Sequence, residues 1–327
     1  MPGSENLRIC ITCGTQFDVS IEDPLKECRM CLDPRQFVPP SGHSFTSLAQ
    51  MRGTYENQIQ QDDIEKRMWS IWTEPNFAIG ERAVFLETPE GNVLWDCVAN
   101  LDQKTVDFIK RKGGLKAMVV SHPHFWTSHL DWAQEFDCPL YLAADEAEWL
   151  CREDKEHRIR WIEDITQVIV PGVTAIKLGG HFPGSMVLPW DGKISTADTI
   201  AVTLSGLNRE LRPPGANSFA FMWAYPNFIP LSPSVLQVMW ERLEPFEFSA
   251  VHSLFVGRDV RDALIKGEVL DDMKLAATFA GYKNEDHSIF KLKWDDSKAK
   301  AAAKSAPVVP SSSIAKPPAQ AHLERGF

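Results

Sequence analysis

The 327-residue sequence lacks an excess of positive charge, any long apolar run and any internal repeat. A formal net charge of −10 argues against a surface built to neutralise phosphates, so no nucleic-acid partner is expected. No run approaches the roughly 18 apolar residues that a membrane-crossing helix needs, so no membrane association is expected. The opening MPGSENLRICITCG has neither a charged segment nor a following apolar stretch of signal-peptide type, and a cytoplasmic location is expected. Thiols stay reduced there, so the seven cysteines are read as metal ligands or packing residues before disulfides. What is present is an ordinary globular balance, 44% hydrophobic and 24% charged, enough for a sizeable core. Eleven tryptophans point to a large sheet core or an apolar pocket.

Four segments follow from the pattern. Residues 1–45 are short, turn-rich and hold four of the seven cysteines. Residues 46–65 are polar and read as a linker. Residues 66–294 carry the periodic elements. They begin with three antiparallel strands in RMWSIWTEPNFAIGERAVFLETPEGNVLWDCVA and a helix in LDQKTVDFIKRKGG. Shorter strands and helices alternate thereafter. Among them are a helix at DEAEWLCRED, another after the N-cap Ser232, and a last one over DVRDALIKGEVLDDMKLAATFAGY. Residues 295–327 turn to Ala, Lys, Ser and Pro and read as a disordered tail.

Cys10-x2-Cys13 and Cys28-x2-Cys31 stand fourteen residues apart. Two such hooks match a structural zinc ribbon, because tetrahedral zinc needs four soft ligands from two tight turns. Four thiolates close the site, so its expected work is to hold a lobe that could not build its own core. Cys97, Cys138 and Cys151 lie on apolar elements and read as packing residues.

VVSHPHFWTSHLDW, residues 119–132, packs three histidines and an aspartate behind an apolar run. A strand ending in His-x-His can aim both imidazoles at one ion, and His122 and His124 have that spacing. His181 in GGHFPGSMVL, Asp198 in STADTI and His252 in AVHSLF each follow a strand as well. Four successive strand ends therefore each present a residue type that binds zinc.

This order, HxH, then GGHxPGS, a lone Asp and a final His, resembles the metallo-β-lactamase superfamily over roughly residues 66–280. The resemblance implies an α+β fold, an αββα four-layer sandwich here preceded by the ribbon-like lobe, with metal held at strand ends. It implies His122, His124 and His181 as ligands of the first metal, Asp198 as the bridging carboxylate and His252 as the final ligand. The family's HxHxDH motif is incomplete: Trp126 and Thr127 stand where its Asp and third His belong, and the glycine that ordinarily precedes the last histidine is missing. One structural and one catalytic zinc are expected, and a second catalytic metal is not. His129 and Asp131 start a helix that points them away from the site. His43, His157, His287 and His322 read as solvated.

Three imidazoles leave zinc an open position at which water can be activated. In the family, the residue matched by Asp198 orients that water and relays its proton. The implied activity is a lactamase- or lactonase-type hydrolase of a small cyclic amide, carbamate or ester, with thioesters also in range. Trp126, with Trp223, Tyr225 and Asn227 of NSFAFMWAYPNFIPL, would line the substrate site, although these aromatics could equally brace the sheet. Two other readings stay open: a degenerate, non-catalytic zinc-binding scaffold, and a mononuclear iron sulfur dioxygenase.

Overall fold

The computed structural model of the chain describes residues 4–209 and 211–297. Most of the segment read as a disordered tail, together with His322, lies outside the described residues.

Strand alternation builds the central layers. A seven-stranded sheet runs in the spatial order Ile159–Ile162, Leu140–Ala143, Ala117–Val119, Val93–Trp95, Arg82–Leu86, Met68–Glu74, Glu56–Gln61. A six-stranded sheet runs Thr166–Val170, Val173–Lys177, Met186–Trp190, Lys193–Ser195, Ala250–His252, Asp259–Arg261. Along Arg82–Leu86 every residue is buried, but on opposite faces. Val84 and Leu86 face the second sheet, meeting Val173, Ala175, Met186 and Leu188 in one apolar cluster. Ala83 and Phe85 face outward onto Val106, Ile109 and Trp132 of the helices Gln103–Arg111 and His129–Glu135. A third cluster seats the helices Pro233–Leu243 and Ile265–Phe279 on the outer face of the second sheet through Leu236, Trp240, Val269 and Met273. Helix, sheet, sheet, helix is the four-layer order expected from the sequence.

Local chemistry sets the helix starts. Asp102 caps Gln103–Arg111, its Oδ1 accepting from Thr105 N at 2.9 Å. Ser232 caps Pro233–Leu243, with proline at the first helical position.

Some elements differ from the sequence expectation. The polar stretch 46–65 is not a plain connection: it forms the short helix Leu48–Met51 and then the edge strand Glu56–Gln61, paired residue for residue with Met68–Glu74. Its one fully buried side chain, Asn57, is bonded to Asn100 O and Thr73, and Ile59 on the same face packs against the core, so the strand docks with little apolar alternation. DEAEWLCRED yields a 3-10 segment, Ala144–Trp149. Asp259–Arg261 pairs with Ala250–His252, delaying the last helix to Ile265.

The lobe near the N-terminus is a three-stranded sheet, Gln16–Ser20, Leu7–Cys10, Phe45–Thr46, over a core of four cysteines, Phe17 and Met30. Among the described residues no helix is long and apolar enough to cross a membrane.

Candidate metal centres

His122 and His124 leave the buried strand Ala117–Val119 together. Backbone at His122 is extended, φ −169° and ψ 168°, and Pro123 then opens a 3-10 turn, Pro123–Phe125. It is this turn, rather than a shared strand face, that brings the two imidazoles to ring centroids 5.2 Å apart.

His181 comes from a tight loop after Val173–Lys177. Leu178 N and Gly179 N both donate to Ser185 O, and Phe182 N donates to Ser185 Oγ at 2.8 Å. Gly180 has φ +91°, and a Cβ there would meet Thr199 Oγ1 at 2.7 Å, Leu231 Cδ1 at 2.9 Å and Met239 Sδ at 2.9 Å. Only glycine fits this approach to the sheet. Asp198 follows Lys193–Ser195 and is held through its backbone, its carbonyl accepting from Tyr225 OH at 2.9 Å.

Four donor atoms converge. Asp198 Oδ2 lies 3.3 Å from His122 Nε2, 3.3 Å from His181 Nε2 and 3.8 Å from His124 Nδ1, and His181 Nε2 lies 3.1 Å from His124 Nδ1. Ligands about 2.0–2.1 Å from a shared ion stand about 3.3–3.4 Å apart in a tetrahedron, so the spacing fits a small divalent cation. The chemistry agrees. His122 Nε2 is buried without a hydrogen-bond partner, although its other nitrogen meets Ser121 Oγ at 2.8 Å. A buried imidazole nitrogen aimed at other donors rather than at a partner is what a ligand leaves behind.

Burial pushes His124 down to about 4 and His181 well below the usual histidine range, so both rings are neutral and able to ligate. Burial works against the charge of Asp198, yet the imidazoles gathered around it hold its carboxyl well below the usual range. Two further carboxyls nearby are shifted toward the protonated form. Burial pushes Asp96 up to about 8 and Glu81 up to about 7, and in both the Asp198 charge adds to the effect. Asp96 Oδ1 accepts from Ser121 N at 2.7 Å, linking it through Ser121 to His122.

The second cluster is made of thiols. Cys10, Cys13, Cys28 and Cys31 have sulfurs within 4.8 Å of one another, with Cys10–Cys31 at 3.6 Å and Cys13–Cys28 at 3.5 Å. A zinc–sulfur distance near 2.3 Å gives a tetrahedral edge of about 3.8 Å. Hydrogen bonds from the other three thiols pull Cys10 down while burial pushes Cys13 up. Such a group holds a negative charge that a cation would share. His43 belongs to the lobe, its Nδ1 accepting from Cys28 N at 3.4 Å.

His252, expected among the ligands, stands outside the four-donor set. The strand Asp259–Arg261 pairs with it and offers a carboxylate, and His252 Nδ1 lies 2.8 Å from Asp259 Oδ1. His129 and Asp131 do point away. His129 Nδ1 is against Trp126 O, while Asp131 accepts from Gln16 Nε2 and Arg152 Nη1. Trp126 is buried in the outer core of the first sheet and packs on His129. Tyr225 stacks 6.1 Å from His181, whereas Asn227 Nδ2 donates to Pro34 O of the cysteine lobe. Trp223 is half-buried beside Arg35.

Sequence reasoning missed Asp33, Arg35, Asp96, Ser121 and Glu81. Asp33 and Arg35 follow the last thiolate, which was a signal of proximity to the lobe but not to the histidines. Two surface clefts, about 430 and 320 Å3, lie around Tyr141–Arg158 and Ser4–Arg152, at other elements than the four ligands.

No family model matches the chain. It is 36% identical over 255 residues to the uncharacterized protein YmaE of Bacillus subtilis (strain 168), covering 76% of this chain and 88% of that one. Among solved structures, VMB-1 superposes with a TM-score of 0.50 at 12% identity, covering 69% of this chain and all of that one. The mono-zinc form of the metallo-β-lactamase FIM-1 from Pseudomonas aeruginosa gives 0.46 at 14%, covering 68% of this chain and 94% of that one.

Proposed function

We propose that this chain, which belongs to the same family as YmaE and has the metallo-β-lactamase fold, is a metal-dependent hydrolase of a small cyclic amide, carbamate or ester. One observation carries the reading: three imidazole nitrogens and one carboxylate oxygen converge, buried, at the edge lengths of a tetrahedron. His122, His124 and His181 would hold the ion. A divalent ion such as zinc supplies Lewis acidity, making water nucleophilic near neutral pH and polarising a carbonyl.

The chain's own residues do the rest. Asp198 Oδ2 stands 3.8 Å from His124 Nδ1, longer than a tetrahedral edge, which suits a carboxylate that works as a base beside the three imidazoles. As a carboxylate it can accept a proton from water and pass it to a leaving nitrogen or oxygen. Tyr225 fixes Asp198 from behind through its carbonyl. Ser121 sets the orientation of His122, and Met222 O, 3.3 Å from His181 Nδ1, does so for His181. Phe182, Tyr225 and Trp223 give the surroundings an apolar, aromatic character suited to a small ring-shaped substrate.

Elemental analysis of the purified chain tests this first. Two ions per chain, one lost in His122→Ala and His181→Ala, together with ring opening of a lactam or lactone by the parent, is the expected result. A single ion that survives both substitutions would end the enzyme reading and favour a scaffold. Oxygen uptake with a thiol substrate, and iron in place of the second ion, would favour a dioxygenase.

A further inference from the structure

We propose that the four-cysteine lobe is part of the histidine centre, and that its Asp33 and Arg35 are positioning residues for His181. This rests on the metal-centre reading above.

The His181 loop has an intrinsic weakness. Gly179 and Gly180 precede the ligand at φ +80° and +91°, and glycine backbone resists little on its own. The ring's own tether, to Met222 O, is 3.3 Å long. Anchors from outside hold the loop: Thr199 Oγ1 donates to Gly179 O, Glu146 accepts from Gly184 N, and the lobe adds one at the ligand residue itself. Arg35 Nη1 donates to His181 O at 3.2 Å, joining residues 146 apart in the chain. The same guanidinium lies 3.5 Å from the centroid of the Phe182 ring. That ring in turn packs on His181, His124 and His122 at 5.3, 4.8 and 5.8 Å. Arg35 thus touches both the backbone of one ligand and the ring on which all three imidazoles rest.

Arg35 is itself fixed. Asp33 takes Arg35 Nε and Nη2 at 2.7 Å each in a two-pronged pair, and also Arg35 N at 2.8 Å. Trp149 and Trp223 flank the guanidinium. Both charged residues are buried, an arrangement that is costly unless every group is paired. Their place in the chain follows from the thiol turn: Leu32 N bonds to Cys28 O and Asp33 N to Met30 O. Whatever orders Cys28 and Cys31 therefore orders Asp33 and Arg35. Pro34 between them accepts from Asn227, tying down the segment that carries Met222 and Tyr225.

The lobe reaches the first motif too. Gln16 N donates to Thr127 O at 3.2 Å, and a Cβ on Gly14 would meet Thr127 Cγ2 at 3.0 Å. Thr127 occupies the place of the histidine that the HxHxDH motif lacks here. At that place the chain has protein contacts with the lobe.

Cobalt(II) titration of the whole chain tests the proposal, since thiolate-bound and imidazole-bound cobalt have separable absorption spectra. In Arg35→Met the thiolate signal should persist, while affinity at the histidine centre falls about 10-fold or more and its d–d envelope changes. Arg35→Lys keeps the charge without the planar fork and should recover only part of the affinity. Unchanged affinity and spectrum at the histidines in a folded Arg35→Met chain would overturn the proposal. If that variant does not fold, Arg35→Lys and Asn227→Ala replace it, and unchanged binding in both is equally fatal. A parent chain that takes up no cobalt at the histidines would defeat the functional reading itself. Uptake that is normal in the parent and in every variant defeats only the present inference.

Discussion

Asp198 carries two duties, donor and proton acceptor, and substitution separates them. Asp198→Asn keeps the shape and one donor oxygen but not the basicity. The expected outcome is that the histidine-bound ion is largely retained by elemental analysis while turnover falls about 10²- to 10⁴-fold. Asp96 makes a different prediction. Its carboxyl is raised from the ordinary aspartate range to about 8, so its folded form prefers the proton. Stability from this preference is full below about pH 4 and is lost as pH rises through about 8. With the histidine centre emptied by a chelator that spares the thiolates, Asp96→Asn should match the parent in urea unfolding at pH 5. At pH 8.5 it should exceed the parent by about 1–3 kcal/mol. A fixed difference at both pH values would refute this.

At the scale of elements, the Gly179–Ser185 loop decides whether His181 reaches its partners. Gly180→Ala adds a methyl within 3 Å of Thr199, Leu231 and Met239 and forces φ +91° on a residue with a Cβ. A loss of about 2–4 kcal/mol in urea unfolding is expected, together with loss of one metal equivalent. The sequence made this element legible because its chemistry is local: GGH and PGS specify a turn without reference to anything distant. The same holds for HPH, where a buried strand is stopped by proline. His252 was not legible, since its fate depends on Asp259 seven residues on and on Arg82 from the other sheet. The strand Glu56–Gln61 was hidden for a related reason. An edge strand whose one buried side chain is an asparagine has no apolar period to detect.

At the scale of the molecule, two sheets and a lobe must hold one register to bring strand ends within reach of a single ion. Arg82 is a buried polar tie between the sheets. Its guanidinium meets Asp259 Oδ1 at 2.5 Å and Oδ2 at 3.1 Å and donates to Ser253 O, while its backbone N donates to Leu254 O. Burial works to raise Asp259, but the Arg82 charge and the His252 hydrogen bond hold its carboxyl below the usual range. Stability from this pair is therefore present above the ordinary aspartate pKa near 4 and fades on acidification below it. Arg82→Met fills similar space but leaves Asp259 charged and unpaired in the interior. It should cost about 3–5 kcal/mol at pH 7, measured by urea unfolding. Pairing it with Asp259→Leu removes the stranded charge and should restore more than half of that loss. The double variant also frees His252 Nδ1 from its partner without touching the four converging donors. Full metal occupancy at the histidine centre in that variant would place His252 in the framework between the sheets, whereas loss of one equivalent would return it to the ligand set.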